Sequence, residues 1–190
     1  MAASKVQIAN LALQKLGVSR KLESLTQDHP NARTLNLAYV PMLRAELRRY
    51  DWSFAIKRAS IAADGDGPVW GDWNRYSKPN DFLRLLRDDE SGVNVDWKIE
   101  GLHILSTTSA PLEIRYLAFI DDPNFYDDLF IEAFACRLAV QCCEEITQST
   151  SKINDAKDQY KDAIAEAKSA GAIEKGAIDF PEDDWIAARR

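Results

Sequence analysis

The sequence predicts an α+β protein: a bundle of about four helices, an inserted small antiparallel β-domain and an extended C-terminal tail. The helices are predicted because apolar residues recur at steps of three and four in the first fifty residues and again between residues 129 and 167. The β-domain is predicted because apolar and polar residues alternate between residues 69 and 120, where turn-forming residues also recur. We therefore expect a helical unit of residues 1–68 and 121–171, an insertion of residues 69–120 whose ends lie close together, and a tail of residues 172–190 that contacts partners.

The composition is that of an ordinary globular chain. Of its 190 residues, 46% are hydrophobic and 28% are charged, which suffices for one domain with a buried core. The formal net charge of −6 argues against a general nucleic-acid-binding protein, because such proteins carry an excess of basic residues. The first twelve residues contain no uninterrupted apolar run, so we expect no signal peptide, and no run in the chain approaches the ~20 residues that span a bilayer.

The N-terminal segment predicts the first helix. Ser4 and Gln7 have the spacing of a capping box, in which each side chain accepts a hydrogen bond from the other residue's backbone amide. Gly17 is the expected exit from the helix, since glycine readily adopts the left-handed conformation that ends many helices. The apolar residues between these ends follow helical spacing: Val6, Ala9, Leu13 and Leu16.

The longest amphipathic pattern predicts a second helix of about five turns. Its apolar stripe consists of Leu35, Tyr39, Leu43, Leu47 and Tyr50. Pro30 is expected in the first turn, capped by Asp28 or His29, of which aspartate is the better capping residue. Pro41 lies inside the pattern, and we expect a kink or a local break near Val40.

The insertion is expected to contain four or five short strands. A turn cluster at residues 63–68 precedes them, and residues 82–86 have the character of a strand. Residues 88–92 resemble an acidic hairpin loop, and Glu100-Gly101 a second hairpin turn. Two further strands are indicated by apolar residues at alternate positions, namely Val93, Val95 and Trp97, and then Leu112, Ile114 and Tyr116.

Helical periodicity returns after the insertion. The first capping residue is either Asp122, which precedes a proline, or Asp127. Residues 129–146 are apolar on two sides, which is typical of a helix at the centre of a bundle. A last helix with a thinner apolar stripe begins at residues 149–151 and is expected to end at Gly171. The residues expected to form the bundle core are Leu35, Tyr39, Leu43, Leu47, Phe134 and Leu138.

The sequence contains no catalytic or nucleotide-binding motif such as a P-loop, H-E-x-x-H or G-x-S-x-G. His29 and His103 are too few for the common metal sites and triads. Cys136, Cys142 and Cys143 fall within one helical pattern, where small buried thiols in a reducing compartment explain them better than a metal site does. We therefore expect no catalytic residue, no metal and no cofactor.

Carboxylates are the remaining chemical candidates. Adjacent acids occur at residues 88–90, 121–122 and 127–128. A glycosidase needs two carboxyl groups facing each other across a cleft, whereas adjacent acids in turns usually serve hydration and helix capping. Asp64 and Asp66 alternate with glycines as in a calcium loop, but the bidentate glutamate that completes such a loop is missing.

Tryptophan is the most informative residue type in this chain. Trp52 and Trp97 are expected in cores. Trp70 and Trp73 lie beside a glycine-rich loop, and Trp185 lies in an otherwise polar tail, which are positions typical of contact anchors. A chain that lacks catalytic groups and carries such anchors is expected to be an assembly component. The interface candidates are Trp70, Trp73, Phe180, Trp185 and Ile186.

Several residue groups also carry a family resemblance. They are Asn31, Ala32, Arg33 and Leu35 in the second helix, Arg48, Trp52 and Phe54 at its end, and Tyr76, Pro79, Asp81, Phe82 and Leu83 after it. Together with the segment of residues 13–17 and the chain length, this pattern resembles the tail tubular protein A family of short-tailed bacteriophages, the head-to-tail adaptors below the portal. The resemblance covers most of residues 6–168.

The resemblance implies a structural role. In that family a ring of subunits joins the twelvefold portal to the tail nozzle and lines the DNA passage. The implied partners are thus the portal protein, the nozzle protein and further copies of the chain in a ring of twelve subunits, with DNA passing without specific binding and no membrane involved. The implied location is the virion tail, assembled in the host cytoplasm. The net acidity fits a channel that does not retain DNA.

Two other classes of function stay open. One is an enzyme that uses the acidic clusters, either a glycan hydrolase or another virion-associated enzyme. The other is a binding module of a bacterial regulatory complex. A large ring, alone or with the portal, is expected only of the adaptor, whereas an enzyme is expected to lose its activity when a single aspartate is replaced.

Overall fold

The computed structural model describes residues 3–86 and 96–174. In these residues the predicted α+β class is confirmed, with helices and two antiparallel sheets. The helices are α1 (Lys5–Lys15), α2 (Pro30–Arg49), α3 (Asp128–Thr147) and α4 (Thr150–Glu174). The strands are β1 (Ile56–Ile61), β2 (Asn74–Ser77), β3 (Phe82–Leu86), β4 (Trp97–Glu100), β5 (His103–Ser106) and β6 (Leu112–Ala118).

The helix ends largely follow the capping chemistry of the sequence. The Ser4–Gln7 capping box is present at α1, and Gly17 leaves that helix with φ of +73°. At α2 the preference for Asp28 is wrong: His29 is the cap, and its Nδ1 accepts a hydrogen bond from the Asn31 amide at 3.2 Å. Asp28 lies one residue further out, where its carboxylate pairs with Arg33 instead.

Both predicted capping residues after the insertion serve as caps. Asp122 caps a single 3₁₀ turn at Pro123–Phe125. Asp127 caps α3 itself, because its Oδ1 accepts hydrogen bonds from the amides of Leu129 and Phe130.

Two helix interruptions were expected, one near Val40 and one at Gly171. α2 continues through Pro41 as one helix, so it is not broken at Val40, and the kink there stays a prediction. α4 continues past Gly171 to Glu174, and the predicted end is wrong. A Cβ at residue 171 would lie 3.8 Å from the Tyr50 ring, so this glycine lies close to a neighbouring aromatic residue inside the helix. Residues 175–190 of the predicted tail lie outside the described residues.

α3 is the central helix. It packs against α1, α2 and α4, and its buried residues lie on more than one side, as predicted. The six residues predicted for the bundle core are all fully or almost fully buried in the same cluster. Tyr39 and Phe134 meet there edge to face, with ring centroids 5.2 Å apart.

The strands form two three-stranded sheets, with strand orders β1-β6-β3 and β2-β5-β4. Strand β6 takes part in both cores, because successive side chains of a strand point to opposite faces. Leu117 is buried in the helical core, whereas Ile114 and Tyr116 belong to a second core that also contains Tyr76 and Ile104 of the other sheet. Trp97 packs against this second core, and Trp52 lies in the helical one.

The limits of the inserted domain stay a prediction. Strand β1 precedes residue 69 and pairs with β6. Leu83, Leu86 and Leu117 lie within residues 69–120 but are buried in the helical core. The hairpin loop predicted at residues 88–92 and the strand predicted to include residues 93 and 95 lie outside the described residues, which leave out residues 87–95. No described helix has both the length and the hydropathy needed to cross a membrane.

Candidate interaction surface

The first predicted contact anchor lies on an exposed loop between β1 and β2, residues 62–73, which we call the β1–β2 loop. Trp70 is 86% exposed, and its neighbour Val69 is fully exposed. Trp73 is only half-buried and lies at the end of the same loop. The other three interface candidates, Phe180, Trp185 and Ile186, lie outside the described residues.

Asp64 fastens the start of the β1–β2 loop to the sheet. Its backbone amide donates a hydrogen bond to the Arg75 carbonyl at 2.8 Å, and the Ser77 hydroxyl donates to both carboxylate oxygens at 3.0 and 3.2 Å. Arg75 Nε and His103 Nδ1 lie 3.3 and 3.2 Å from Oδ2, without the alignment of hydrogen bonds. The acid that suggested a calcium loop is therefore engaged with β2 and β5, and no described group of residues could hold a metal ion.

Trp73 fastens the other end of the β1–β2 loop. The Lys98 ammonium of β4 lies 4.6 Å from the centroid of the Trp73 ring, which is cation–π geometry. Gly71 has a φ of +91°, a conformation that favours glycine, and a Cβ there would lie 3.1 Å from Trp73 Cδ1, so the loop at this position is suited to glycine. The predicted anchors thus divide: Trp73 holds the loop on the sheet, and Trp70 faces solvent.

An exposed Val–Trp pair on a loop fastened at both ends is suited to binding another protein. Such a pair already exposes its apolar surface to water, and burial of that surface in a contact is favourable. The ordering cost of binding is reduced because Asp64 and Trp73 already restrict the loop.

The residues that carry the family resemblance join the helices to the sheets. Arg48 Nη1 donates a hydrogen bond to the Leu83 carbonyl at 2.7 Å, which links α2 to β3. Trp52 is buried, donates through Nε1 to the Glu46 carbonyl at 3.1 Å, and meets Phe130 of α3 with ring centroids 4.8 Å apart. These contacts give the matching residues an architectural role in this chain.

Asp81, another of these residues, lies at the same junction. Its carboxylate accepts hydrogen bonds from Lys57 at 2.7 Å and Tyr116 at 3.0 Å. Burial opposes ionisation, but these two hydrogen bonds outweigh it and hold the pKa of Asp81 below its usual range.

The acidic cluster after β6 also has structural tasks. Asp121 pairs with Lys5 of α1 at 2.6 Å, and Asp122 and Asp127 are helix caps.

The three cysteines are buried in α3. Burial, together with the charge of Glu145, raises the pKa of Cys142 to about 11, and burial raises the pKa of Cys136 as well, so both thiols stay protonated at neutral pH.

Sequence reasoning missed a second set of exposed apolar residues. Leu37 and Val40 on α2 are 81% and 42% exposed, and Phe125 is 64% exposed. The sequence could have indicated them, because Leu37 and Val40 are apolar yet fall outside the apolar stripe of α2.

Comparison with known proteins adds no relative, since no family model and no curated protein matches this chain.

Proposed function

We propose that this chain is a structural adaptor of a bacteriophage tail, which assembles into a ring, connects the portal to the tail nozzle and lines the DNA passage. The observation that carries the proposal is the exposed Val69–Trp70 pair on a loop that Asp64 and Trp73 hold in place. An assembly component needs exposed contact residues of this kind in its free subunit.

Two further observations support the proposal. The residues that resemble the adaptor family join the helices to the sheets, through Arg48 and Leu83 and through the packing of Trp52. The net charge of −6 suits a passage through which DNA slides, because few phosphates are neutralised and few counterions are released.

The decisive experiment is negative-stain microscopy and light scattering of the full chain, alone and mixed with the portal protein of the same phage. We expect rings, and a complex in which a ring is seated on the portal. The variant Trp70→Ala should weaken ring or portal binding without lowering the melting temperature, because the side chain is almost fully exposed. Leu102→Ala, at a residue that is 79% exposed on the β4–β5 turn, is the matched control. A chain that forms neither rings nor a portal complex contradicts the proposal.

The tail is the second proposed contact. It contains Phe180, Trp185 and Ile186 beside an acidic run, a composition suited to ordering on a partner rather than to forming a core of its own. Deletion of residues 175–190, which keeps every described residue of α4, or the change Trp185→Ala should leave the melting temperature nearly unchanged and weaken ring or portal binding. Unaltered assembly of both variants would remove the tail from the proposal.

A further inference from the structure

The solvent side of α2 carries a basic and apolar stripe. We define the α2 outer stripe as the five residues that follow one another at helical spacing on this side: Arg33, Leu37, Val40, Arg44 and Arg48. Leu37 is 81% exposed and Val40 is 42% exposed. The one acidic residue of α2, Glu46, is buried, so α2 itself offers no carboxylate on this side.

The three arginines of the stripe keep donor capacity for a partner. Arg33 pairs with the exposed Asp28, the Arg44 guanidinium lies 4.9 Å from the Phe119 ring centroid, and Arg48 uses one nitrogen on the Leu83 carbonyl. A guanidinium has five N–H donors, so each arginine can still bind a carboxylate. Lys78 is a further basic residue near the Arg48 end of the stripe. Burial, and then the charge of Arg48, lower its pKa.

A surface of opposite character lies between β6 and α3. We define the acidic turn as residues 121–128, which hold Asp121, Asp122, Asp127, Asp128 and the 64% exposed Phe125. The sequence from residue 121 to residue 136 contains no basic residue. Lys5 pairs with Asp121, whereas among the described residues no basic side chain pairs with Asp122 or Asp128.

We propose that the acidic turn of one copy of this chain binds the α2 outer stripe of a second copy, with Phe125 against Leu37 and Val40 and the aspartates against the arginines. The two surfaces match in charge and each has exposed apolar residues, so contact buries apolar area while opposite charges meet. The two surfaces share no residue, so each subunit can bind a different neighbour through each surface. Such head-to-tail contacts close into a ring or extend into a filament. The exception is a symmetric dimer, in which the turn of each copy binds the stripe of the other. The inference rests on the proposed adaptor function and names the contact between neighbouring subunits.

A charge-swap experiment on the full chain tests the contact. The variant Arg33→Glu/Arg44→Glu reverses the stripe, Asp122→Lys/Asp128→Lys reverses the turn, and a third variant combines all four changes. Sedimentation and light scattering should show that each double variant weakens self-association by at least about tenfold, and that the combined variant regains most of it. Added salt should weaken the wild-type association, because exposed charges are screened.

The control is Lys157→Glu/Lys161→Glu, two exposed lysines of α4, which changes the net charge as much as the reversal of the stripe does. Each variant is melted to show that it folds. Because Asp122 also caps the turn at Pro123–Phe125, the single variant Asp128→Lys replaces the double one should the latter melt at a lower temperature.

Four results would overturn the inference. The first is a wild-type chain that stays monomeric, and the second is an α4 control that loses as much association as the stripe variant. The third is a combined variant that regains no association, and the fourth is self-association that is abolished only by deletion of residues 175–190. If rings form unchanged in every charge variant, the proposed contact between the acidic turn and the α2 outer stripe is wrong, but the adaptor function is not contradicted. Charge-dependent association that yields neither rings nor a portal complex supports the contact and contradicts the adaptor function.

Discussion

At the scale of single residues, two leucines of α2 differ in their exposure to solvent. Leu43 is fully buried in the bundle core, and Leu37 is 81% exposed. Leu43→Ala should lower the free energy of unfolding by about 2–5 kcal/mol, because it leaves a cavity among buried neighbours. Leu37→Ala should change it by no more than about 0.5 kcal/mol. Denaturant unfolding of dilute protein measures both, and equal effects would mean that the helix faces are misassigned.

A partly buried hydrogen bond between α4 and α2 leads to a second prediction at this scale. The Tyr160 hydroxyl of α4 donates to both carboxylate oxygens of Glu46 at 2.9 Å, and Glu46 is 1% exposed. Burial, and then the charge of Glu46, raise the pKa of Tyr160 from 10.0 to about 12. The folded chain therefore keeps a proton that the unfolded chain loses, so the free energy of unfolding should fall as pH rises from about 10 to 12.

The variant Tyr160→Phe tests this alkaline loss of stability. It should show a shallower decline of the unfolding free energy across the same pH window, because the titrating hydroxyl is gone. Wild type and variant with identical slopes would show that Tyr160 does not titrate as its surroundings indicate.

At the scale of elements, the β1–β2 loop depends on contacts that are distant in sequence. Asp64→Ala should remove the carboxylate contacts with the side chains of Ser77, Arg75 and His103 and make residues 62–73 a faster site of limited proteolysis. The melting temperature should change little, because the side chain lies outside both cores. Asp66→Ala, in the exposed middle of the loop, is the control and should not speed cleavage. Equal cleavage of the two variants would deny Asp64 its anchoring role.

The elements were predictable to the extent that their signals are local. Helical spacing identified Leu35, Tyr39, Leu43 and Leu47 as the buried stripe of α2, whereas Tyr50, predicted as its last member, follows the helix and is only half-buried. The capping residues of α1 and α3 follow from short-range hydrogen bonds. The anchoring of Asp64 was not predictable, because Ser77 and His103 reach it only after β2 and β5 have paired. The continuation of α4 past Gly171 was also missed, and that glycine lies close to Tyr50, from a different part of the chain.

At the scale of the whole molecule, the helices and sheets meet at strand β6. Leu83, Leu86 and Leu117 are buried in the helical core although they belong to residues 69–120. Replacing that segment by a short Gly/Ser linker would remove these three side chains and leave β1 without its partner. We expect the remaining helices to lose their cooperative thermal transition, as followed by far-UV circular dichroism and calorimetry. A sharp two-state melt of the shortened chain would instead establish residues 69–120 as an independent insertion.

The central position of α3 also governs how the chain opens. Among the described helices, α3 is in contact with each of the other three, and neither α1, α2 nor α4 has all of the others as principal neighbours. If one outer helix detaches, the other two still contact α3. We therefore expect the amide hydrogens of α3 to exchange with deuterium chiefly through global unfolding, and those of α1 and α4 to exchange through partial opening as well. A chain built this way is expected to loosen at its periphery while α3 keeps an intact centre on which the outer helices can pack again.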